Sequence, residues 1–127
     1  MSHILIVDDE SDVAEALCAV LELEGYEVSV VGDGAACLRF LGEQRPDLVL
    51  LDLMMPVLNG FQVLDAMQDD ALRDVPVIMM SAARPERVFS EPNVRAFLKK
   101  PFELQGLLDT IEQALRPLPS GVGVNVG

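Results

Sequence analysis

The sequence predicts an α/β fold: a doubly wound parallel sheet with helices on both of its faces. Two observations carry this. Short, β-rich apolar runs recur at Ile4 to Val7, Val28 to Val31, Leu48 to Leu51 and Val75 to Met80, and runs of this length read as buried strands. Between them the apolar residues fall at helical spacing, so that strand and helix alternate along 127 residues, a length suited to one domain.

The elements follow in order. After the first strand, Val13, Leu17, Val20 and Leu21 mark a helix that Ser11 or Asp12 can cap and Gly25 can end. Gly32-Asp33-Gly34 breaks the chain after the second strand, and Ala36, Leu38, Phe40 and Leu41 form a less regular helical pattern. The third strand leads to Phe61, Val63, Leu64 and Met67, again helical, and the fourth run carries Pro76 near its start. A short strand candidate at Ala96 to Leu98 precedes the best-patterned helix, with Leu104, Leu107, Leu108, Ile111 and Leu115 on one stripe. That gives five strands and up to five helices, joined by right-handed crossovers. In such sheets ligands gather at the carboxyl ends of the strands, where strand order reverses.

Composition narrows the function. Twenty-one acidic residues against nine basic ones give a net charge of −12, which repels phosphate backbones and anionic lipid, so no direct nucleic-acid binding is expected. No apolar run approaches the roughly 20 residues needed to span a bilayer. Met1-Ser2-His3 offers no basic segment before the first apolar run, so no cleaved export signal and a cytoplasmic location are expected. Cys18 and Cys37 fall within predicted helices without metal-site spacing and read as buried or half-buried free thiols.

Three carboxylates stand at strand ends: Asp8 and Asp9 after the first, Asp52 after the third. Charges about 4 Å apart repel by roughly 4 kcal/mol at an effective dielectric of about 20, so the cluster needs compensation. Oxygen-only ligands suit magnesium, which takes one or two carboxylates and shares its shell with water and phosphate. Asp8-Asp9-Glu10-Ser11 equally suits a helix N-terminus and its dipole, but Asp52, ahead of Leu53-Met54-Met55-Pro56, has no capping role. Lys100, before Pro101, is placed to lay an ammonium across the acids, with Lys99 as competitor. Ser81 offers a hydroxyl at the end of the fourth strand, a position that also suits an ordinary turn residue.

Together these residues resemble the receiver domains of two-component response regulators. The resemblance rests on Asp8-Asp9, Asp52-Leu53-Met54-Met55-Pro56 with Gly60 beyond it, Ser81-Ala82, Phe97 and Lys100-Pro101-Phe102, and covers about residues 3 to 116. It implies a stand-alone, chemotaxis-regulator-like receiver with a flavodoxin-like sheet of order 2-1-3-4-5. It implies that Asp52 is the phosphoacceptor and that Mg2+ is held by Asp9, Asp52 and the Met54 carbonyl, with Asp8 acting mainly through water. Lys100 would pair with the phosphoryl group, Ser81 would hydrogen-bond to it, and Phe97 would change rotamer as Ser81 moves. Phe97 also suits an ordinary core aromatic.

The implied partners are a histidine kinase or histidine phosphotransfer protein as donor and an unknown downstream protein. The reaction is self-modification rather than enzymatic turnover. Residues 1–116 form the expected receiver domain and 117–127 a flexible tail, a stretch whose composition also suits a linker.

Three departures from the family pattern stand out. Only six residues separate Pro85 from Pro92, so a helix there holds about two turns at most, and the output surface is expected to be remodelled. Asn93-Val94-Arg95-Ala96 replaces the usual glycine-alanine turn before the fifth strand. The two positions that tune phosphoryl lifetime hold Met54 and Ala83, neither able to orient water, so slow autodephosphorylation is expected. Other classes fit less well. Intact Asp8, Asp9, Asp52, Ser81 and Lys100 argue against a constitutive interaction module. Met54 stands where an aspartyl-phosphate phosphatase has a second acid, and no phosphate-binding loop for a flavin follows the first strand.

Overall fold

A computed structural model describes residues 1–68, 72–83 and 91–116. The elements are β1 (His3–Val7), α1 (Ser11–Leu23), β2 (Glu27–Val31), α2 (Gly34–Glu43), β3 (Leu48–Asp52), α3 (Gly60–Ala66), β4 (Val77–Ser81), β5 (Val94–Lys99) and α4 (Leu104–Leu115). All strand pairs are parallel and the sheet order is β2-β1-β3-β4-β5, as expected. The proline-bounded segment for which a two-turn helix was expected lies largely outside the described residues, as does the expected tail.

Alternation along each strand sorts the core into two layers. Leu5, Val7, Val49, Leu51, Val77 and Met79 face one side, against Cys37 and Leu41 of α2 and Val63 and Leu64 of α3. Ile4, Ile6, Leu48, Leu50, Ile78 and Met80 face the other, against Leu17 and Leu21 of α1 and Leu107 and Ile111 of α4. β3 and β4 are buried along their whole length, because they lie inside the sheet and are covered on both faces. The edge strands β2 and β5 mix half-buried and exposed residues.

Local chemistry sets the element ends. Asp33 caps α2 by accepting a hydrogen bond from the Ala36 amide at 2.7 Å. Asn59 and Gln62 form a reciprocal capping box on α3. The start of α1 departs from expectation: Ser11 and Asp12 lie inside the helix and Glu10 occupies the N-cap without a side-chain cap bond. The backbone of Glu10 is instead pulled into place by Asp8, whose Oδ1 accepts the Glu10 amide at 2.9 Å. β4 begins after Pro76, which has no amide to give to the ladder, although its carbonyl accepts from Val49. β5 extends beyond the expected Ala96 to Leu98 at both ends.

The loop from β3 to α3 is tightly folded. The Leu58 amide donates to the Pro56 carbonyl at 2.7 Å, so Val57 sits at the centre of a γ-turn with φ 68°, a left-handed conformation unfavourable for a β-branched residue. The loop returns at Gly60, whose amide bonds the Leu53 carbonyl; a Cβ there would meet the Leu53 Cα at 2.9 Å and the Asp52 carbonyl at 3.1 Å. Glycine at 60 thus lets α3 start directly against the end of β3.

Candidate functional site

Strand order reverses between β1 and β3, and the carboxyl ends of β1, β3, β4 and β5 bring five expected residues to one edge of the sheet. Asp8 and Asp9 follow β1, Asp52 and Ser81 close β3 and β4, and Lys100 follows β5. Backbone bonds across the sheet hold these ends in register: Leu53 to Met80 at 2.9 Å and Lys100 to Ser81 at 2.8 Å. The result is a cleft of about 280 Å³ that Glu10, Met54 and Ala82 also line.

Asp8 is buried and Asp9 exposed. Asp52 is 4% exposed, and its Oδ1 accepts the Met54 amide at 3.2 Å, a local turn that orients the carboxylate. Ligating oxygens of Asp8, Asp9 and Asp52 all lie within 4.8 Å of one another. Opposite ligands of a magnesium ion stand about 4.2 Å apart at its usual bond length, so this oxygen-only set suits such an ion in chemistry and lies within a small side-chain adjustment of its span.

The Lys100 ammonium lies 3.3 Å from Asp8 Oδ2, 3.7 Å from Asp52 Oδ2 and 3.7 Å from Glu10 Oε1. Lys99 is exposed, which resolves the competition in favour of Lys100. Burial pushes the Asp52 pKa up to about 6; Lys100 opposes the shift and the neighbouring acids Asp8 and Asp9 support it. For Lys100, burial acts downward, but the charges of Asp52, Asp8 and Glu10 outweigh it and raise its pKa.

Ser81 is buried, and its Oγ accepts the Ala83 amide at 3.3 Å. Accepting occupies an oxygen lone pair and leaves the O–H available as a donor. Phe97 lies opposite Met79, and the next outward pair on the same face is Ser81 and Lys99. Phe97 is half-buried against the core layer that α2 and α3 cover. Met54 lines the cleft and is 68% exposed, and Ala83, just beyond Ala82 at its rim, is also exposed.

Two residues of consequence were not singled out from the sequence. Glu10 contacts Lys100, and Asn93 is a buried polar hub at the opposite end of the sheet. Asn93 Nδ2 donates to the carbonyls of Leu72, Arg73 and Val75, and its Oδ1 accepts from Gln68. Those partners lie 18 to 25 residues away in sequence, so no local pattern announces them.

Residues 4–112 match the family model of the response regulator receiver domain. The chain belongs to this family. Among curated relatives, the receiver is 39% identical over 117 residues to the DNA-binding response regulator MtrA of Mycobacterium tuberculosis, covering 90% of this chain and 50% of that protein. The receiver thus spans about half the length of the curated relatives it matches. Among solved structures, it superposes on the response regulator TrrA of Thermotoga maritima in complex with Mg(2+)-BeF, with TM-score 0.80 and 28% identity over 90% of this chain and 99% of that one. The receiver domain of a sensor histidine kinase from Pseudomonas aeruginosa, with a magnesium ion coordinated in its active site cleft, matches with TM-score 0.80 and 27% identity over 90% of this chain and 97% of that one. Among the described residues no helix is long and apolar enough to cross a membrane.

Proposed function

We propose that residues 1–116 act as a phosphoacceptor switch in which Asp52 takes a phosphoryl group from a phosphohistidine on a histidine kinase or histidine phosphotransfer protein. The observation that carries this reading is the placement of buried Asp52 within one cluster with Asp8 and Asp9 while the Lys100 ammonium stands 3.7 Å away.

Asp8, Asp9, Asp52 and the Met54 carbonyl would hold Mg2+, which when bound neutralises charge on the phosphoryl oxygens. A carboxylate oxygen of Asp52 attacks phosphorus; the O–P bond forms as the N–P bond to the donor histidine breaks, and the imidazole leaves. Attack requires ionised Asp52, and a pKa of about 6 leaves most of it ionised at neutral pH. Lys100 pairs with the transferred group and the Ser81 hydroxyl donates to one of its oxygens. Phe97, on the same face of the sheet as Ser81, relays the change to the surface beside β5.

The signal leaves by contact with a downstream protein. MtrA is described as DNA-binding, but the match covers half of it, and a net charge of −12 opposes contact between this domain and a phosphate backbone. We place the protein in the cytoplasm, where the donor proteins' phosphohistidines are formed. With an apolar side chain at both Met54 and Ala83, neither residue orients a water on the acyl phosphate, so the modification is long-lived.

Intact-mass measurement after incubation with acetyl phosphate tests the central step. A magnesium-dependent phosphoryl adduct is expected on the wild type and not on Asp52→Asn; an equal adduct on both would displace Asp52 from its role. Decay of the adduct should accelerate in Met54→Asn with Ala83→Glu, and unchanged decay would remove the account of lifetime.

A further inference from the structure

Glu10 breaks a local rule. It occupies the N-cap of α1, a position that favours Ser, Thr, Asp or Asn, yet makes no side-chain cap bond. Its backbone is fixed from both sides, by the Asp8 carboxylate on its amide and by the Ala14 amide on its carbonyl. The side chain, relieved of any capping duty, reaches the Lys100 ammonium at 3.7 Å. An exposed ion pair ordinarily contributes little, because two long side chains must be ordered to form it. Here one partner is already ordered: Lys100 is only 21% exposed and is anchored by the buried Asp8.

We propose that Glu10 is a positioning residue that shares the Lys100 ammonium with Asp8 and Asp52 in the unmodified protein and releases it when a phosphoryl group arrives on Asp52. The inference rests on the reading of Asp52 as phosphoacceptor. A group with charge near −2 in the cleft outcompetes a single, 64% exposed carboxylate for the same ammonium. Glu10 therefore holds Lys100 back from the position it takes in the modified state. It also stands where the cleft meets a second, apolar one of about 690 Å³ between α1 and the start of α4, so its release changes the charge at that rim.

The test follows Lys100 directly. In the full chain labelled at lysine with ¹³C and ¹⁵N, the Lys100 ε-methylene and ammonium resonances are compared in wild type, Glu10→Gln and Glu10→Asp, with and without beryllofluoride and Mg2+ as phosphoryl mimic. Both substitutions are expected to move the free-protein resonances toward those of the wild-type beryllofluoride complex. Glu10→Asp keeps a charge at the helix N-terminus and shortens the reach, so a role confined to the helix dipole predicts no movement for it. Phosphorylation by acetyl phosphate should be roughly two- to fivefold faster in Glu10→Gln, the range an exposed ion pair commands, and the gain should vanish when Lys100→Met is present in both proteins. Unmoved Lys100 resonances, or a gain that persists with Lys100→Met, would overturn the proposal. If the wild type takes no phosphoryl group on Asp52, the functional reading fails by itself, while the resonances of the free protein still decide whether Glu10 holds Lys100.

Discussion

Lys100 Nζ lies 3.3 Å from Asp8 Oδ2, a contact that joins residues 92 apart in sequence and ties the end of β5 to the end of β1. The acid is buried and the lysine largely so, which means that removing the cation strands both Asp8 and Asp52. Lys100→Met should lower stability by about 2 kcal/mol at neutral pH, less than for a fully buried pair because Lys100 retains some solvent. Adding Asp52→Asn to that variant should recover part of the loss. Urea denaturation of the two variants and the wild type measures both effects; additive changes would contradict the coupling.

The raised pKa of Asp52 has a consequence for stability with a definite sign. Its ordinary value is 3.8 and its folded value about 6, so the fold favours the neutral acid. Below the ordinary value both states hold the proton and Asp52 carries no penalty. Between the two values the unfolded chain releases its proton first, and stability falls as pH rises. Above the folded value the penalty is constant, on the order of 3 kcal/mol. Asp52→Asn should therefore be more stable than wild type at about pH 8 in chelator, with the difference disappearing toward about pH 3.5. Thermal melts across pH check this; a destabilised variant at alkaline pH would refute it.

If the proposed site holds Mg2+, the ion should stabilise the folded protein by mass action, because the three carboxylates come together only when β1 and β3 are adjacent. The rise in Tm with added Mg2+ should be clear in wild type, reduced in Asp9→Asn and abolished in Asp9→Asn with Asp52→Asn. An undiminished rise in the double variant would place the ion elsewhere.

Val57 combines an unfavourable backbone conformation with a fully exposed side chain, so nothing in packing offsets the strain. Left-handed backbone costs an L-residue roughly 1–2 kcal/mol, and glycine removes that cost while raising the entropy of the unfolded chain. Val57→Gly should gain about 0.5–1 kcal/mol, read as a higher urea midpoint at unchanged slope. A lower midpoint would show that the turn is not strained.

Asn93 satisfies three backbone carbonyls with one amide group. Asn93→Asp keeps the shape but replaces the donor by an acceptor, leaving those carbonyls facing a carboxylate in a buried position. The expected loss is about 3 kcal/mol, larger than for Asn93→Ala, which leaves carbonyls unbonded but adds no charge. Equal losses in the two variants would show that the amide bonds contribute no more than packing.

Much of this was legible in the residues themselves. Fully apolar runs such as Leu48 to Leu51 mark strands covered on both faces, and the stripe through Leu107, Leu108, Ile111 and Leu115 marks a helix against the sheet, although Leu104 at its start is exposed. The alternation of strand and helix, with ligands at carboxyl ends, was enough to bring Asp8, Asp9, Asp52, Ser81 and Lys100 into one set. Element ends were less legible, because they depend on where backbone donors find partners. Glu10, rather than Ser11 or Asp12, became the N-cap because Asp8 claimed its amide.

Tertiary structure decided the rest. Lys100 rather than Lys99 faces the acids because adjacent residues leaving a strand point to opposite sides, and the pairings of Asp52 with Met80 and of Met80 with Leu98 put Lys100, two residues beyond Leu98, on the side of Asp52. The elevated pKa of Asp52 follows from its burial among neighbours contributed by three separate strand ends, which no local pattern encodes. The same holds for the bonds of Asn93 and the reach of Glu10 to Lys100. Composition and periodicity specify which residues are apolar and at what spacing; charge–charge distances and hydrogen-bond partners exist only after distant segments have been packed together.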